Sequence, residues 1–119
     1  MEIIEQNTNQ LIELCVNHKV GQLYLFGSVL TNQFNASSDI DFLVQFNPID
    51  LLEYFDNYMD FKEQLEALFG RSVDLVENQA VKNPIFRRVI DREKQLIYER
   101  KALKYLISSI LIGTSSQVN

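Results

Sequence analysis

The sequence predicts an α/β domain built on one open sheet, and three observations carry that prediction. Short apolar runs alternate with longer stretches of helical spacing. Each apolar run is bounded by Gly, Pro or Asn, the residues that punctuate local structure. The 119 residues, 46% of them hydrophobic, suit a single core, because a chain of this size buries roughly 65% of its unfolded surface.

The elements follow in chain order. Ile3, Ile4, Leu11, Leu14 and Cys15 recur at mostly helical spacing, so a first helix is expected over 3–18, ended by Gly21. Leu23-Tyr24-Leu25-Phe26, between Gly21 and Gly27, reads as a buried strand. A short helix is expected from Ser28 to Gln33, directly at the strand end, followed by a polar loop with Asn35, Ser37 and Ser38. Ile40 to Phe46 is a second strand, stopped by Asn47-Pro48. Asp50 is a good N-cap, and Glu53 completes a capping-box pattern. The run 51–69 then presents Leu51, Leu52, Phe55, Tyr58, Met59, Leu65, Leu68 and Phe69 as a broad apolar helix face, with Gly70 where a C′ glycine belongs. Ser72 to Glu77 is a third strand. Asn83-Pro84 reads as cap and first residue of a helix running to about Arg92. Leu96-Ile97-Tyr98 is a short strand or a helix turn. Leu103, Leu106, Ile107, Ile110 and Leu111 form an apolar stripe over 101–112, an extra C-terminal amphipathic helix, and 113–119 reads as a frayed tail.

Composition removes several classes. Thirteen aromatic residues, eight Phe and five Tyr, exclude intrinsic disorder. One cysteine, Cys15, cannot form an internal disulfide. With no secretory leader after Met1 a reducing cytoplasm is expected, and no apolar run is long enough to span a bilayer. His18 and Cys15 are the only residues of their kinds, which argues against structural zinc. His18 is expected as a surface residue at a helix end. Any metal must therefore find carboxylates, a ligand set that suits Mg²⁺ or Mn²⁺. Residues 82–104 carry eight of the eleven basic residues and only three acids, in a chain of net charge −5. That basic end can attract a nucleotide or an acidic partner, and the acidic remainder argues against nucleic acid.

The chemistry concentrates at two places. Asp39-Ile40-Asp41 opens the second strand. Alternation puts both carboxylates on one face, about 6.5–7 Å apart, while Ile40, Phe42 and Val44 anchor the other face. Two parallel carboxylates repel unless a divalent cation lies between them. Asp74, between Val73 and Leu75, is a third acid in a strand and calls for a partner there. If its strand lies beside 40–46, it can join the same cluster. The second place is Phe26-Gly27-Ser28, where a strand passes into a helix. Helix N-termini bind phosphate, Gly27 permits close backbone approach, and Ser28 adds a donor. Together these parts suit metal-assisted in-line nucleotidyl transfer.

The spacing Gly27-Ser28, ten residues, Asp39-Ile40-Asp41, with Asp74 on a later strand, resembles the signature of polymerase-β-type nucleotidyltransferases. The length and the Asn83-Pro84-Ile85-Phe86 helix resemble the minimal nucleotidyltransferase subgroup, over about residues 10–100. The resemblance implies a nucleotidyltransferase fold, a mixed β-sheet with helices packed on it. It implies a domain at 1–100, followed by the 101–112 helix and the tail. It implies Asp39, Asp41 and Asp74 as catalytic metal ligands for two Mg²⁺, and Gly27 and Ser28 as the cradle for the ATP triphosphate. It implies a cytoplasmic antitoxin that transfers AMP to a Tyr of a cognate HEPN RNase toxin. Alternatives are an antitoxin that works by binding alone, and a nucleotidyltransferase acting on a small molecule or an RNA end. The 101–112 helix packs on its own domain, or serves a partner or homo-oligomer. Many members follow Gly-Ser with Arg-x-Arg-Gly, whereas this chain reads Val29-Leu30-Thr31-Asn32. Arg87, Arg88 and Arg92 are then candidates to meet the triphosphate charge.

Overall fold

The computed structural model describes residues 2–100. The 101–112 helix and the 113–119 tail expected from the sequence lie outside them, as does any oligomer contact through that helix. Four helices and four strands follow in order: α1 (Glu2–Glu5), α2 (Thr8–Asn17), β1 (Val20–Phe26), β2 (Ile40–Phe46), α3 (Leu51–Phe69), β3 (Val73–Glu77), α4 (Pro84–Glu93) and β4 (Gln95–Glu99). The strands form one mixed sheet in the order β3-β2-β1-β4. β1 runs antiparallel to β2 and β4, and β2 runs parallel to β3.

A parallel β2–β3 pair needs a crossover, and α3 supplies it. Asp50 caps it by accepting from the Leu52 N–H at 3.3 Å, and Gly70 ends it at φ 66°. The reciprocal half of the expected capping box does not form, because the Glu53 carboxylate lies 3.5 Å from the Lys19 ammonium. Phe61, Leu65 and Phe69 of α3 are buried, whereas Leu51, Leu52 and Phe55 of the predicted apolar face stand exposed. α3 meets the sheet through Tyr54 on Phe46 and Tyr58 on the Leu75 carbonyl, and buries its residues only in the later turns.

The two faces of the sheet bury different clusters. Leu23, Leu25, Ile40, Phe42 and Val44 point into the main core with α2 and α3 residues Leu11, Cys15, Phe61 and Leu65. Phe26 and Leu43 point to the other face, where Ile90 of α4 covers them. Strand alternation thus gives each face its own helix layer.

Three local readings change. The first helix breaks at Asn7, whose side chain donates to the Ile3 carbonyl at 2.8 Å and competes with the helix ladder. Gly21 does not end α2 but lies inside β1, and the turn is made at Lys19, with φ 59°. His18 does sit at the end of α2, yet it is buried, not on the surface. Its Nδ1 is 2.7 Å from the Leu14 carbonyl, its Nε2 is 2.6 Å from the Asp60 carboxylate, and its ring packs on Phe61. It pins α2 to α3. Residues 96–98 resolve as part of strand β4, paired with β1.

Candidate active site

Strand register assembles the site from three chain segments. Phe26, the last residue of β1, pairs with Asp41, and Asp41 pairs with Asp74 across the parallel β2–β3 ladder. Neighbouring strands lie about 4.8 Å apart and residues in register share a face, so the Asp41 and Asp74 carboxyls flank one another. β2 spans Ile40–Phe46, as the sequence predicts, so Asp39 lies just before the strand and is exposed, not inside it as its pairing with Asp41 on one strand face requires. Arg71 fixes that entry. Its Nη1 donates to the Asn35 and Ser38 carbonyls at 3.0 and 2.9 Å, and its guanidinium sits 4.5 Å over the Phe34 ring.

Asp74 does not need a buried partner. Val73 and Leu75 point into the core, and Asp74 between them faces out and is solvated. The apolar flanks in the sequence belong to the opposite face.

Gly27 meets Asp41 directly. A Cβ built on Gly27 would lie 2.1 Å from the Asp41 Oδ2 and 3.1 Å from its Cγ, and the backbone there has φ +78°. Only a residue without a side chain lets the carboxylate nest against the end of β1. The short helix expected over Ser28–Gln33 is a single 3₁₀ turn, Gly27–Leu30. So short a turn has little macrodipole. What it offers an anion is the free N–H groups of its first residues and the Ser28 hydroxyl. Val29, where many relatives place a cation, is buried in the main core.

Electrostatics mark Asp41. Burial first, then the charges of Asp74 and Asp39, push its carboxyl up to about 6. Asp41 therefore senses the charges of both other aspartates. Among the described residues no group of three His, Cys, Asp or Glu side chains is gathered closely enough to hold a metal ion. The donors nonetheless fit a hard divalent cation: they are carboxylate oxygens, and their mutual repulsion is what such a cation relieves.

The arginine candidates separate. Arg87 donates to the Asn78 carbonyl and side chain and to Asp91, so it is spent on holding α4 to the segment after β3. Arg92 pairs with Glu93. Arg88 is exposed. Arg71 escaped the sequence reading as a positioning residue, since its partners are backbone carbonyls that no side-chain pattern announces.

Asp39 and Asp74 are exposed and Asp41 is half-buried. A cavity of about 370 Å³, lined by Phe46, Asn47, Tyr54 and Glu77 among others, lies at the other end of the sheet, five residues along β2 from Asp41. No helix among the described residues is long and apolar enough to cross a membrane.

Comparison with known proteins agrees with this geometry. Residues 9–103 match the family described as polymerase beta, nucleotidyltransferase. The protein adenylyltransferase MntA of Thermococcus cleftensis is 34% identical over 86 residues, covering 72% of this chain and 81% of that one. A solved structure assigned, by inference, as a minimal nucleotidyltransferase is 29% identical with a TM-score of 0.65, covering 79% of this chain and 92% of its own. A structure of a tri-AMPylated Shewanella oneidensis HEPN toxin in complex with an MNT antitoxin has the same fold, at 20% identity and a TM-score of 0.56, covering 86% and 77%. The chain belongs to the polymerase-β-type nucleotidyltransferase family, in its minimal branch.

Proposed function

We propose that this chain is a Mg²⁺-dependent protein adenylyltransferase that moves AMP from ATP to a hydroxyl, most simply a Tyr, of a HEPN-type RNase toxin, and that it acts as the antitoxin of that pair. The observation that carries the reading is the register Phe26–Asp41–Asp74, which sets the Gly27–Ser28 turn beside the aspartates at one end of the sheet. The names of the T. cleftensis and S. oneidensis proteins point to the same reaction and partner. The cytoplasm is the compartment that such a partner implies.

Asp39, Asp41 and Asp74 would hold Mg²⁺, which neutralises phosphate charge and lowers the pKa of a bound hydroxyl. The Gly27–Ser28 backbone and the Ser28 hydroxyl donate to triphosphate oxygens. Gly27 leaves room for Asp41 to face the α-phosphate. Asp74 is solvated and stands where it can accept the proton of the attacking hydroxyl. The acceptor oxygen bonds to the α-phosphorus, the bond to the bridging oxygen breaks, and pyrophosphate leaves. With Asp39 and Asp74 exposed, one wall of the site is left to the acceptor protein.

The test is mass spectrometry of the protein encoded beside this one after incubation with this chain, ATP and Mg²⁺. The expected result is a gain of one or more AMP units, lost with Asp39→Asn or Asp41→Asn. A partner silenced equally well by those variants establishes neutralisation by binding alone. AMP found instead on an RNA end or a small molecule overturns the protein acceptor.

A further inference from the structure

A nucleoside triphosphate has a charged end and a flat aromatic end, and the aspartates with the Gly27–Ser28 turn serve only the first. The second needs an exposed π surface within reach of the Gly27–Ser28 turn. The face of the sheet that carries the aspartates offers one. α4 crosses that face, anchored by Ile90, which is 1% exposed and packs with Phe26 and Leu43. One helical turn earlier on the same side is Phe86, which is 43% exposed. Its ring meets the Phe26 ring edge-on, at 6.3 Å between centroids and 72° between planes. Phe26 is the residue before Gly27 and the register partner of Asp41.

We propose that Phe86 is the platform on which the purine base of the nucleotide stacks. This assignment rests on the reading of Gly27–Ser28 as the triphosphate turn. Phe86 is held in place by its helix and by its edge-on contact with Phe26. Asn83 accepts from the Ile85 and Phe86 N–H groups at 2.9 and 3.0 Å, Pro84 sets the first turn, and Arg87 ties the next residue to Asn78 and Asp91. A large apolar ring left 43% exposed on a capped helix, beside a site suited to phosphates, is a preformed stacking surface. Neighbouring Ile85, 70% exposed, widens the apolar surface. Stacking on an aromatic ring tolerates any base but favours the larger purine face.

Calorimetry with two ligands tests the assignment, both with Mg²⁺: α,β-methylene-ATP, which keeps the base and resists cleavage at the transferred bond, and inorganic tripolyphosphate, which lacks it. Phe86→Ala is expected to weaken the ATP analogue by about ten-fold or more, with tripolyphosphate affinity unchanged. Phe86→Tyr should keep analogue affinity. Phe86→Leu, which still fills space against Phe26 but has no π face, should lose it as Ala does. In the transfer assay the Ala variant should raise the KM for ATP and leave kcat standing. Equal affinity of wild type and Phe86→Ala for the analogue overturns the platform and leaves the exposed ring to a macromolecular surface. Equal losses for both ligands assign Phe86 a structural role instead, and a Leu variant that binds like wild type reduces it to packing. A wild-type chain indifferent to both ligands overturns the triphosphate reading itself.

Discussion

Replacing Gly27 by Ala is the sharpest test of the site's architecture. The new methyl carbon would sit 2.1 Å from the Asp41 Oδ2 and 3.4 Å from its Cβ, at a backbone φ of +78°. Two costs combine. The left-handed backbone with a Cβ costs roughly 1–2 kcal/mol. Forcing a methyl into an occupied site costs about 1–3 kcal/mol more. The expected destabilisation is about 2–5 kcal/mol, or a fall in Tm of roughly 8–20 °C, read by urea and thermal unfolding. If the clash with Asp41 is the second cost, Asp41→Ala in the same chain should recover that part. The double-mutant cycle should then show a coupling of about 1–3 kcal/mol. A Gly27→Ala variant that unfolds within about 0.5 kcal/mol of wild type, or one whose loss simply adds to that of Asp41→Ala, would refute the nesting of the carboxylate against the turn. Activity should vanish in the single variant, because Asp41 can make room only by leaving its position beside Asp74.

Three further outcomes follow from the same geometry. Asp41→Asn should abolish transfer yet raise the metal-free Tm at neutral pH, since it removes a carboxylate that burial and two neighbouring charges disfavour; a lower Tm would contradict that electrostatic picture. The pH dependence has a defined sign: the folded-state pKa of Asp41 lies near 6, above its ordinary 3.8, so its favourable contribution is complete below about 3.8 and is lost as pH rises through 6. Mg²⁺ affinity should correspondingly weaken as pH falls below 6, where a proton must be displaced, and titration calorimetry at pH 5 and pH 8 reads this directly. Arg71→Ala should release the segment before Asp39, lowering kcat by roughly ten-fold while costing the fold about 1–3 kcal/mol from its charged hydrogen bonds. Arg71→Lys, which lacks the planar fork, should rescue stability better than rate, and an unchanged rate in both variants would remove Arg71 from the positioning of Asp39.

Much of the site was legible in the chain because its parts are local. Period-two alternation in 40–46 separates Asp41 from Ile40, Phe42 and Val44 without any tertiary information. The Asn83-Pro84 start of α4 and the Gly70 end of α3 are also local, since caps satisfy the backbone of their own helix. Element ends that depend on packing were misread. The turn before β1 falls at Lys19, and Gly21 lies inside the strand between β2 and β4. His18 looked like a surface residue because its partner Asp60 belongs to another helix.

The sequence alone determined which residues could bear the chemistry: three acids, a Gly-Ser turn, and apolar strands rigid enough to carry them. The tertiary structure decided their meeting. Only the order β3-β2-β1-β4 sets Asp74 on one side of Asp41 and the end of β1 on the other. It likewise leaves Phe86 exposed next to Phe26 and lays Arg71 under the segment that carries Asp39. Strand pairing is a contest among long-range partners, decided by the burial of two sheet faces at once, and no window along the chain contains that information.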